Sequence, residues 1–332
     1  MKKSLLSFLF FCLIFQIFAE EEKPCSRAYC ACEKQFAYSN NICPLQFKAE
    51  LNYLFINFFE DGIEYAQVAN EKINNSNGEQ KFNPGVRVLF SFPIKRSTLK
   101  QSYVDLSYTF IKMKKASETT PRNLIYNSFL PPAFLNSSNA AASLSGDFHT
   151  FDLDLTRPYF VSKYYISNPS LGIRGAIIDQ TYKIEYNIVN TNNIVRAKND
   201  YWGVGIKAGY AAEFIISKYY SIYAKSFFAL LFGKHDLSQN STTPISGLIR
   251  YSVKEKRYDV QPNAQISLGL SFNKLFNKDQ SKIAIRIGYE FHEWWDQNQL
   301  KRFMDLDPNS MKTVSRNNLK FNGLAFSLLL DI

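Results

Sequence analysis

The sequence predicts an all-β membrane protein, a transmembrane antiparallel β-barrel of about ten strands with short periplasmic turns and long extracellular loops. Three observations predict it: alternation of apolar with polar side chains in ten segments, an apolar leader at the N-terminus, and connections that alternate in length. Side chains at every second position of a strand share one face. A closed barrel lets such a sheet cross lipid, because every backbone N–H and C=O is paired.

The composition agrees with a folded chain that lacks membrane helices. Among 332 residues, 16 % are aromatic and 20 % are charged, and the formal net charge is +10. Disordered chains contain few aromatics and many charges. A helical span needs roughly 18 or more uninterrupted apolar residues, and only the N-terminus approaches that length.

The N-terminus has the features of a signal peptide, residues 1–19. Lys2 and Lys3 precede an apolar run, and small Ala19 is followed directly by three glutamates. An uncleaved anchor is the alternative, which Gln16 disfavours because it interrupts a run already short for a span. The mature chain is therefore expected outside the cytoplasm, with residues 20–45 as a periplasmic segment and residues 46–332 as the barrel.

Four cysteines lie close together in the periplasmic segment: Cys25, Cys30, Cys32 and Cys43. An even count in an exported chain predicts disulfides, within the chain or to another chain. Zinc is the alternative, but the spacing lacks the C-x2-C pairs of structural sites. Lys23 and Pro24 disfavour a lipid anchor at Cys25.

Ten alternating segments follow one another along the rest of the chain. They are residues 47–55, 86–92, 104–110, 151–156, 171–188, 202–210, 222–232, 264–272, 283–291 and 324–332. The apolar face of the fifth segment changes parity between Ile177 and Ile184, which predicts a β-bulge near Asp179 or Gln180. Residues 247–253 would add a strand pair and raise the count to twelve. A soluble β-sandwich also alternates, but apolar faces this long and this free of charge favour lipid.

The connections give the barrel an orientation. Those after even-numbered strands are short, residues 93–101, 162–170, 217–220 and 273–281, and those after odd-numbered strands are mostly longer, residues 61–83, 112–146, 190–201, 235–258 and 292–319. Short turns face the periplasm in outer-membrane barrels. Ser-Lys-Tyr-Tyr occurs at two of the short turns, residues 162–165 and 217–220, and predicts a periplasmic belt of tyrosines. Trp202, Trp294 and Trp295 are expected at the opposite belt, with core aromatics as the alternative.

The polar faces carry charges of both signs, which we expect to face the barrel lumen. These residues are Lys48, Glu50, Arg87, Asp105, Asp152, Asp154, Arg174, Lys207, Glu213, Lys225, Arg286, Glu290 and Asp331. In a water-filled lumen they would set ion preference, whereas in a narrow barrel they would pair and fill it. Ten strands lie near the boundary between these cases.

Motifs of catalysis and nucleotide binding are missing. The sequence has no nucleotide loop, zinc-protease motif or nucleophile elbow, and Gly203 and Gly205 are interpreted as small lumen-facing residues. His149, His235 and His292 with Asp147 or Asp152 could form a rim metal site or an acid–base pair. Unrelated surface histidines are favoured, because no spacing places any two of them on one strand face. We expect neither a cofactor nor a metal.

The basic excess does not indicate nucleic acid, because its cations are spread over predicted loops. Examples are Lys112, Lys114, Lys115, Arg122, Arg250, Lys254, Lys256 and Arg257. Such loops would face an anionic lipopolysaccharide surface favourably, and ordinary solvated loops are the alternative.

Several short segments carry a resemblance to a known family. These are residues 83–88, 172–177, 202–205, 231–233, 288–290 with Trp294 and Trp295, and 321–324. Together they make the chain similar to the Legionella-type outer-membrane protein family, which includes the MOMP-like (major outer membrane protein-like) porins of chlamydia-related bacteria. The resemblance implies a pore-forming barrel of the bacterial outer membrane without catalytic residues, and cysteines cross-linked as in chlamydial envelopes. The chain departs from many such barrels in ending with Ile332 rather than Phe.

The sequence thus predicts a porin-like channel for passive diffusion of ions and small hydrophilic solutes. The alternative is a closed-lumen structural or adhesion barrel, disulfide-linked to envelope proteins or to its own copies. A rim enzyme is a third hypothesis. The expected surroundings are outer-membrane lipid and lipopolysaccharide.

Overall fold

The computed structural model shows ten long antiparallel strands closed into a barrel. It describes residues 47–68, 71–73, 82–95, 101–119, 125–130, 136–188, 191–243, 248–276, 281–301 and 317–332. The barrel strands are β1 (Lys48–Glu60), β4 (Asn83–Lys95), β5 (Gln101–Glu118), β8 (Asn139–Thr156), β10 (Tyr165–Ile188), β11 (Thr191–Ile215), β12 (Tyr220–Thr243), β13 (Leu248–Phe276), β14 (Ser281–Asn298) and β15 (Asn317–Asp331). The predicted ten-stranded barrel is confirmed.

Each barrel strand pairs with its neighbours in the chain, and the first strand pairs with the last. The seam between β1 and β15 runs in unbroken antiparallel register from Lys48 opposite Asp331 to Glu60 opposite Leu319. Residues 248–253 form the beginning of β13 rather than an additional strand pair, so the predicted increase to twelve strands is wrong. A short strand β9 (Tyr159–Ser162) follows β8 and pairs with β10.

The outward face is apolar along the periplasmic part of every barrel strand. Leu171, Ile206 and Leu270 are 66 %, 67 % and 63 % exposed, which only a hydrocarbon surrounding makes favourable. The apolar band ends where Asp179 and Asp200 face outward from paired positions on β10 and β11. The band is therefore the membrane-spanning part.

The strands continue well beyond this band on the extracellular side. About ten residues cross an outer membrane, but β12 has 24 residues and β13 has 29. The prediction of long loops over residues 190–201 and 235–258 is therefore wrong, because most of these residues extend the strands. Cations such as Lys254 and Lys256 lie on the exposed face of this extension.

The strand β10 has no bulge at Asp179 or Gln180. Its pairing with β8 and β11 is regular through both residues, so the predicted bulge is wrong. Ile184 and Tyr186 face inward on the same parity as Arg174, and both are fully buried. The apolar residues of β10 therefore change faces because their surroundings change. Up to Ile177 they face lipid outside the barrel, and from Ile184 onward they face an apolar core inside it.

That core is completed by connections that fold back into the lumen. Short strands β2 (Ala66–Val68), β3 (Glu71–Ile73), β6 (Ile125–Asn127) and β7 (Asn136–Ser137) form a separate four-stranded sheet. The chain turns inward from β1 at Gly62, whose positive φ of 80° suits glycine. We call residues 61–68 and 125–130 the plug.

Within the described residues, no helix is long and apolar enough to cross a membrane.

Candidate functional site

The charged residues expected in the lumen meet at its periplasmic end. The structure places Lys48, Glu50, Arg87, Asp105, Asp152, Asp154, Arg174, Lys207, Glu213, Lys225, Arg286 and Asp331 around one cavity of about 210 Å³. Glu290 contacts Arg87 beside it. The four periplasmic-segment cysteines, Cys25, Cys30, Cys32 and Cys43, lie outside the described residues, so their pairing stays a prediction.

Arg87 and Glu290 form a bidentate ion pair inside the lumen. The two guanidinium nitrogens of Arg87 donate to Glu290 Oε1 at 2.8 Å and Oε2 at 2.9 Å. Arg87 Nε also donates to Thr109 Oγ1, and His292 Nε2 lies 3.0 Å from Glu290 Oε2. Two parallel charge-assisted bonds fix both side chains geometrically, so this pair is rigid.

A second charged cluster forms around Asp152. Arg174 donates from Nε and Nη2 to the two carboxylate oxygens of Asp152, at 2.7 and 2.8 Å. Lys207 Nζ bridges Asp152 Oδ2 at 2.9 Å and Asp154 Oδ2 at 2.6 Å. Arg174 Nη1 also donates to Asn263 Oδ1 at 2.8 Å. Two cations thus balance two anions, and each charge is hydrogen-bonded as burial requires.

The ion pairs nearest the periplasmic mouth are longer. Lys225 Nζ lies 3.3 Å from Glu50 Oε1, and Arg286 lies 3.4 Å from Glu50 and 3.5 Å from Glu213. Lys282 Nζ lies 3.8 Å from Glu213 Oε1 and also lines the cavity. Lys282 is not among the predicted lumen residues, because it stands one residue before the ninth apolar segment. It lies four positions before Arg286 on β14, and this even spacing puts both side chains on the lumen face.

Arg174 and Asp152 are partners on adjacent strands, but other polar contacts join strands that are not neighbours. Arg87 on β4 and Glu290 on β14 are three strand intervals apart, and so are Arg174 on β10 and Asn263 on β13. Lys225 on β12 and Glu50 on β1 are four intervals apart in a ring of ten. Side chains from strands three and four intervals apart therefore touch, which narrows the polar half of the lumen around its cavity.

Above the charges, the lumen is filled by aromatic and aliphatic side chains. The Phe148 ring centroid lies 5.3 Å from Trp294 and 4.8 Å from Phe321, and Leu54 and Ile56 are fully buried beside this layer. Trp294 is thus a core aromatic, and its expected place in an interface belt is wrong. Trp202, in contrast, faces outward and is 54 % exposed.

The plug is fixed by tyrosine hydroxyls from the barrel wall. Tyr182 Oη donates to the carbonyl of Ile63 at 2.7 Å, Tyr186 Oη to the carbonyl of Tyr65 at 2.5 Å, and Tyr251 Oη to the carbonyl of Phe129 at 2.8 Å. These bonds tie buried plug carbonyls to the barrel wall, and the Tyr65 carbonyl also accepts the backbone N–H of Ser128 within the plug. The extracellular half of the lumen therefore has a packed, hydrogen-bonded core.

Glu60 is the last residue of β1 and lies above the apolar band, in the base of this core. Burial raises the pKa of the Glu60 carboxyl to about 8, and the nearby charge of Asp61 acts in the same direction. The hydrogen bond that Gln180 Nε2 donates to Glu60 Oε2, at 2.7 Å, opposes the increase. Glu60 is therefore a neutral acid at moderate pH.

The three histidines do not share a site. His149 faces outward, where its Nδ1 lies 2.9 Å from the Tyr108 hydroxyl, whereas His235 and His292 are buried inside. His235 is within 3.6 Å of Asp259, and His292 contacts Glu290. Among the described residues, no group of three His, Cys, Asp or Glu side chains is placed to hold a metal ion.

The small inward residues act in packing. A Cβ added at Gly203 would lie 2.1 Å from the Tyr201 hydroxyl, and one at Gly233 would lie 2.6 Å from the same ring. Gly203 and Gly233 are cross-strand partners on β11 and β12. The Tyr201 ring therefore lies flat against the wall in the space that these two glycines leave.

Comparison with known proteins supports this architecture. The family model described as Legionella pneumophila major outer membrane protein precursor matches residues 44–332. No curated protein sequence matches the chain.

The solved structures that the chain matches include outer-membrane proteins, all at low similarity. The outer membrane protease OmpT from Escherichia coli is 8 % identical with a TM-score of 0.36, over 88 % of this chain and 99 % of that one. A Pseudomonas aeruginosa FadL homologue is 10 % identical with a TM-score of 0.29, over 86 % and 90 %. The Pseudomonas putida toluene transporter TodX is 10 % identical with a TM-score of 0.27, over 89 % and 91 %. Similarities this low carry no information on substrate or reaction.

Proposed function

Because the chain belongs to the Legionella pneumophila major outer membrane protein family and lies in the bacterial outer membrane, we propose that it is a closed-lumen structural barrel of the cell surface. Its role is to stabilise the membrane and to present a rigid extracellular surface. The proposed role needs no catalytic chemistry, cofactor or nucleic acid.

The cross-lumen ion pairs are the single observation that carries this proposal. Lys225 with Glu50 and Arg87 with Glu290 join strands that are four and three intervals apart in the ring of ten. A permeating ion would have to displace these side chains, and separating the largely buried pair of Arg87 and Glu290 is unfavourable. The charges therefore support a filled lumen better than a water-filled one.

The plug adds a second barrier in series with the charges. Phe129 and Tyr65 fill the extracellular half of the lumen and are fully buried. The charged half is built from strand residues and the plug from connections, so movement of the plug alone would leave the lower barrier in place. A closed resting state follows from either barrier.

A porin-like channel for ions and small hydrophilic solutes is the second candidate. The polar cavity of about 210 Å³ favours it, because it offers solutes a charged vestibule at one end of the barrel. In this candidate the plug and the longer ion pairs of Glu50 would have to rearrange together to open a path.

Conductance of the purified protein in planar bilayers tests the proposal. We expect no stable ohmic steps from the wild type, and steps from a variant that removes both barriers, Glu50→Ala and Glu290→Ala combined with deletion of plug residues 125–130. Glu185→Ala, an exposed residue on the extracellular strand extension, is the matched control and should stay silent. Steady ion-selective steps from the wild type, with selectivity changed by Arg286→Glu, would establish the channel instead.

The envelope partners suggested by the cysteine cluster belong to the same proposal. Disulfide links to other envelope chains would strengthen a structural barrel. In an exported chain, such links can form at Cys25, Cys30, Cys32 and Cys43. The linked partner is either another envelope protein or a second copy.

A further inference from the structure

We propose that the two Ser-Lys-Tyr-Tyr turns, residues 162–165 and 217–220, together form a binding site for the phosphate headgroup of an anionic phospholipid in the periplasmic leaflet. We call them the twin turns. The inference concerns the outer surface of the barrel, so it is independent of whether the lumen conducts.

The twin turns have the same local structure. Ser162 Oγ accepts a hydrogen bond from the backbone N–H of Tyr164 at 3.2 Å, and Ser217 Oγ accepts one from that of Tyr219 at 3.3 Å. Such side-chain bonds fix a turn locally. The Nζ atom of the intervening lysine lies 4.7 Å from the following tyrosine ring centroid in both turns. Each turn therefore presents one ammonium at a defined position over an aromatic ring.

The twin turns lie side by side on the barrel. The N–H of Ile215 donates to the carbonyl of Tyr164 at 2.7 Å, and Tyr165 is the register partner of Phe214. The hydroxyl oxygens of Tyr165 on β10 and Tyr210 on β11, the strands between the twin turns, are 2.6 Å apart. Adjacent hairpins are separated by two strand spacings, about 10 Å. At this separation, the two lysines are close enough to contact one headgroup from both sides.

The periplasmic turns as a group are strongly cationic. Residues 95–100, 157–164, 216–219 and 273–280 contain one acidic residue, Asp279, and these cations: Lys95, Arg96, Lys100, Arg157, Lys163, Lys218, Lys274 and Lys278. The connections at the other end, residues 61–82, 119–138, 189–190, 244–247 and 295–316, contain equal numbers of acidic and basic residues. The surplus of cations therefore favours an anionic partner at the periplasmic turns.

The surroundings of the twin turns identify that partner as a lipid. Val161, Phe214 and Ile216 face outward beside them and are 59 %, 51 % and 56 % exposed, which places the edge of the hydrocarbon region at the twin turns. Tyr164 and Tyr219 lie at the depth where tyrosines contact headgroups. A phospholipid matches both the apolar surface and the cationic site, because its acyl chains contact the apolar side chains while its phosphate lies between the lysines.

Lipid binding to the full-length folded protein tests the inference. Native mass spectrometry of protein in neutral detergent, titrated with phosphatidylglycerol or phosphatidylcholine, gives the dissociation constants. We expect phosphatidylglycerol to bind more tightly, and Lys163→Gln with Lys218→Gln to weaken its binding about thirtyfold, since each surface cation contributes roughly fivefold. Lys218→Gln alone should give an intermediate loss.

A matched pair at the other end serves as the control. Lys254→Gln with Lys256→Gln makes the same change in net charge on exposed residues and should leave phosphatidylglycerol binding unchanged. Heat-modifiable gel mobility verifies that every variant is folded. Equal losses in both pairs, equal binding of the two lipids, or displacement of phosphatidylglycerol by equimolar inorganic phosphate would each overturn the inference.

Discussion

Arg87 and Glu290 face each other across the lumen and are joined by two parallel hydrogen bonds of 2.8 and 2.9 Å. Removing the carboxylate by Glu290→Ala leaves a buried guanidinium without its partner. We expect this variant to lose about 3–5 kcal/mol of unfolding free energy, measured by urea titration of the folded protein in detergent.

The exposed ion pair of Lys112 and Asp147, 3.9 Å apart on the outer face, is the matched control. Asp147→Ala should cost less than about 1 kcal/mol, because exposed pairs contribute little. Similar losses from Asp147→Ala and Glu290→Ala would contradict a sealed, desolvated lumen.

The raised pKa of Glu60 predicts a specific dependence of stability on pH. The unfolded carboxyl loses its proton near pH 4.5, whereas the folded one keeps it to about pH 8. The folded state binds more protons between these values, so the free energy of unfolding falls as pH rises from 4.5 to 8. Glu60→Gln should remove this decrease and be more stable than the wild type at pH 9, by roughly 2–4 kcal/mol.

Urea midpoints at pH 4, 6 and 9 measure this effect. The two proteins should agree most closely at pH 4, where the wild-type carboxyl is protonated in both states. Glu185→Gln, at an exposed position on β10, should behave like the wild type throughout. A constant difference between Glu60→Gln and the wild type at all three pH values would refute the assignment.

Tyr182→Phe tests how the plug is held. It deletes the hydroxyl that donates to the Ile63 carbonyl at 2.7 Å and leaves that buried carbonyl unpaired, at a cost of about 1–3 kcal/mol. We expect the plug to open more often, so that residues 61–82 are cleaved faster by an added protease on intact cells. Tyr289→Phe, on the lipid-facing surface, should leave the cleavage rate unchanged, and equal rates in both variants would count against an anchored plug.

Gly203→Ala tests the packing of Tyr201 against the wall. The added methyl would meet the Tyr201 hydroxyl at 2.1 Å, so the ring must move, at about 1–3 kcal/mol. Combining it with Tyr201→Ala should cost less than the sum of the two single changes. Gly175→Ala is the control, because the nearest atom to its Cβ would be 4.0 Å away; strict additivity at Gly203 would contradict this contact.

The cysteine cluster predicts a redox-dependent gel pattern. Disulfides between chains would give high-molecular-weight bands without reductant that collapse to one band with it. Cys25, Cys30, Cys32 and Cys43 changed together to serine should remove the bands, and identical patterns with and without reductant would leave no role for intermolecular bonds.

The alternation of residues along the strands, together with the apolar leader and the connection lengths, predicts the barrel and its lipid-facing surface. Leu171 and Ile206, for example, lie outward as their period-two pattern requires. Alternation reports only that the two faces differ, not which of them faces lipid. Where the strands rise above the membrane, polar residues occupy the outward face and the apolar residues Ile184 and Tyr186 occupy the inward face. From the sequence pattern alone, this change of parity predicts a bulge instead.

The pairing of the lumen charges could not be predicted from the sequence. Arg87 and Glu290 are 203 positions apart, and their contact depends on the barrel closing with ten strands rather than more. Inward direction is a local property of each strand, whereas contact across the lumen depends on its diameter. The plug was missed for the same reason, because burial of Phe129 depends on which connections fold inward.

The seam between β1 and β15 has a consequence for biogenesis. Lys48 meets Asp331 there, so the cylinder is sealed only when β15 pairs with β1. Until then both edges expose unpaired backbone groups that hydrocarbon does not tolerate. A polypeptide interrupted before β15 would keep both edges unpaired and would therefore be unstable in the bilayer.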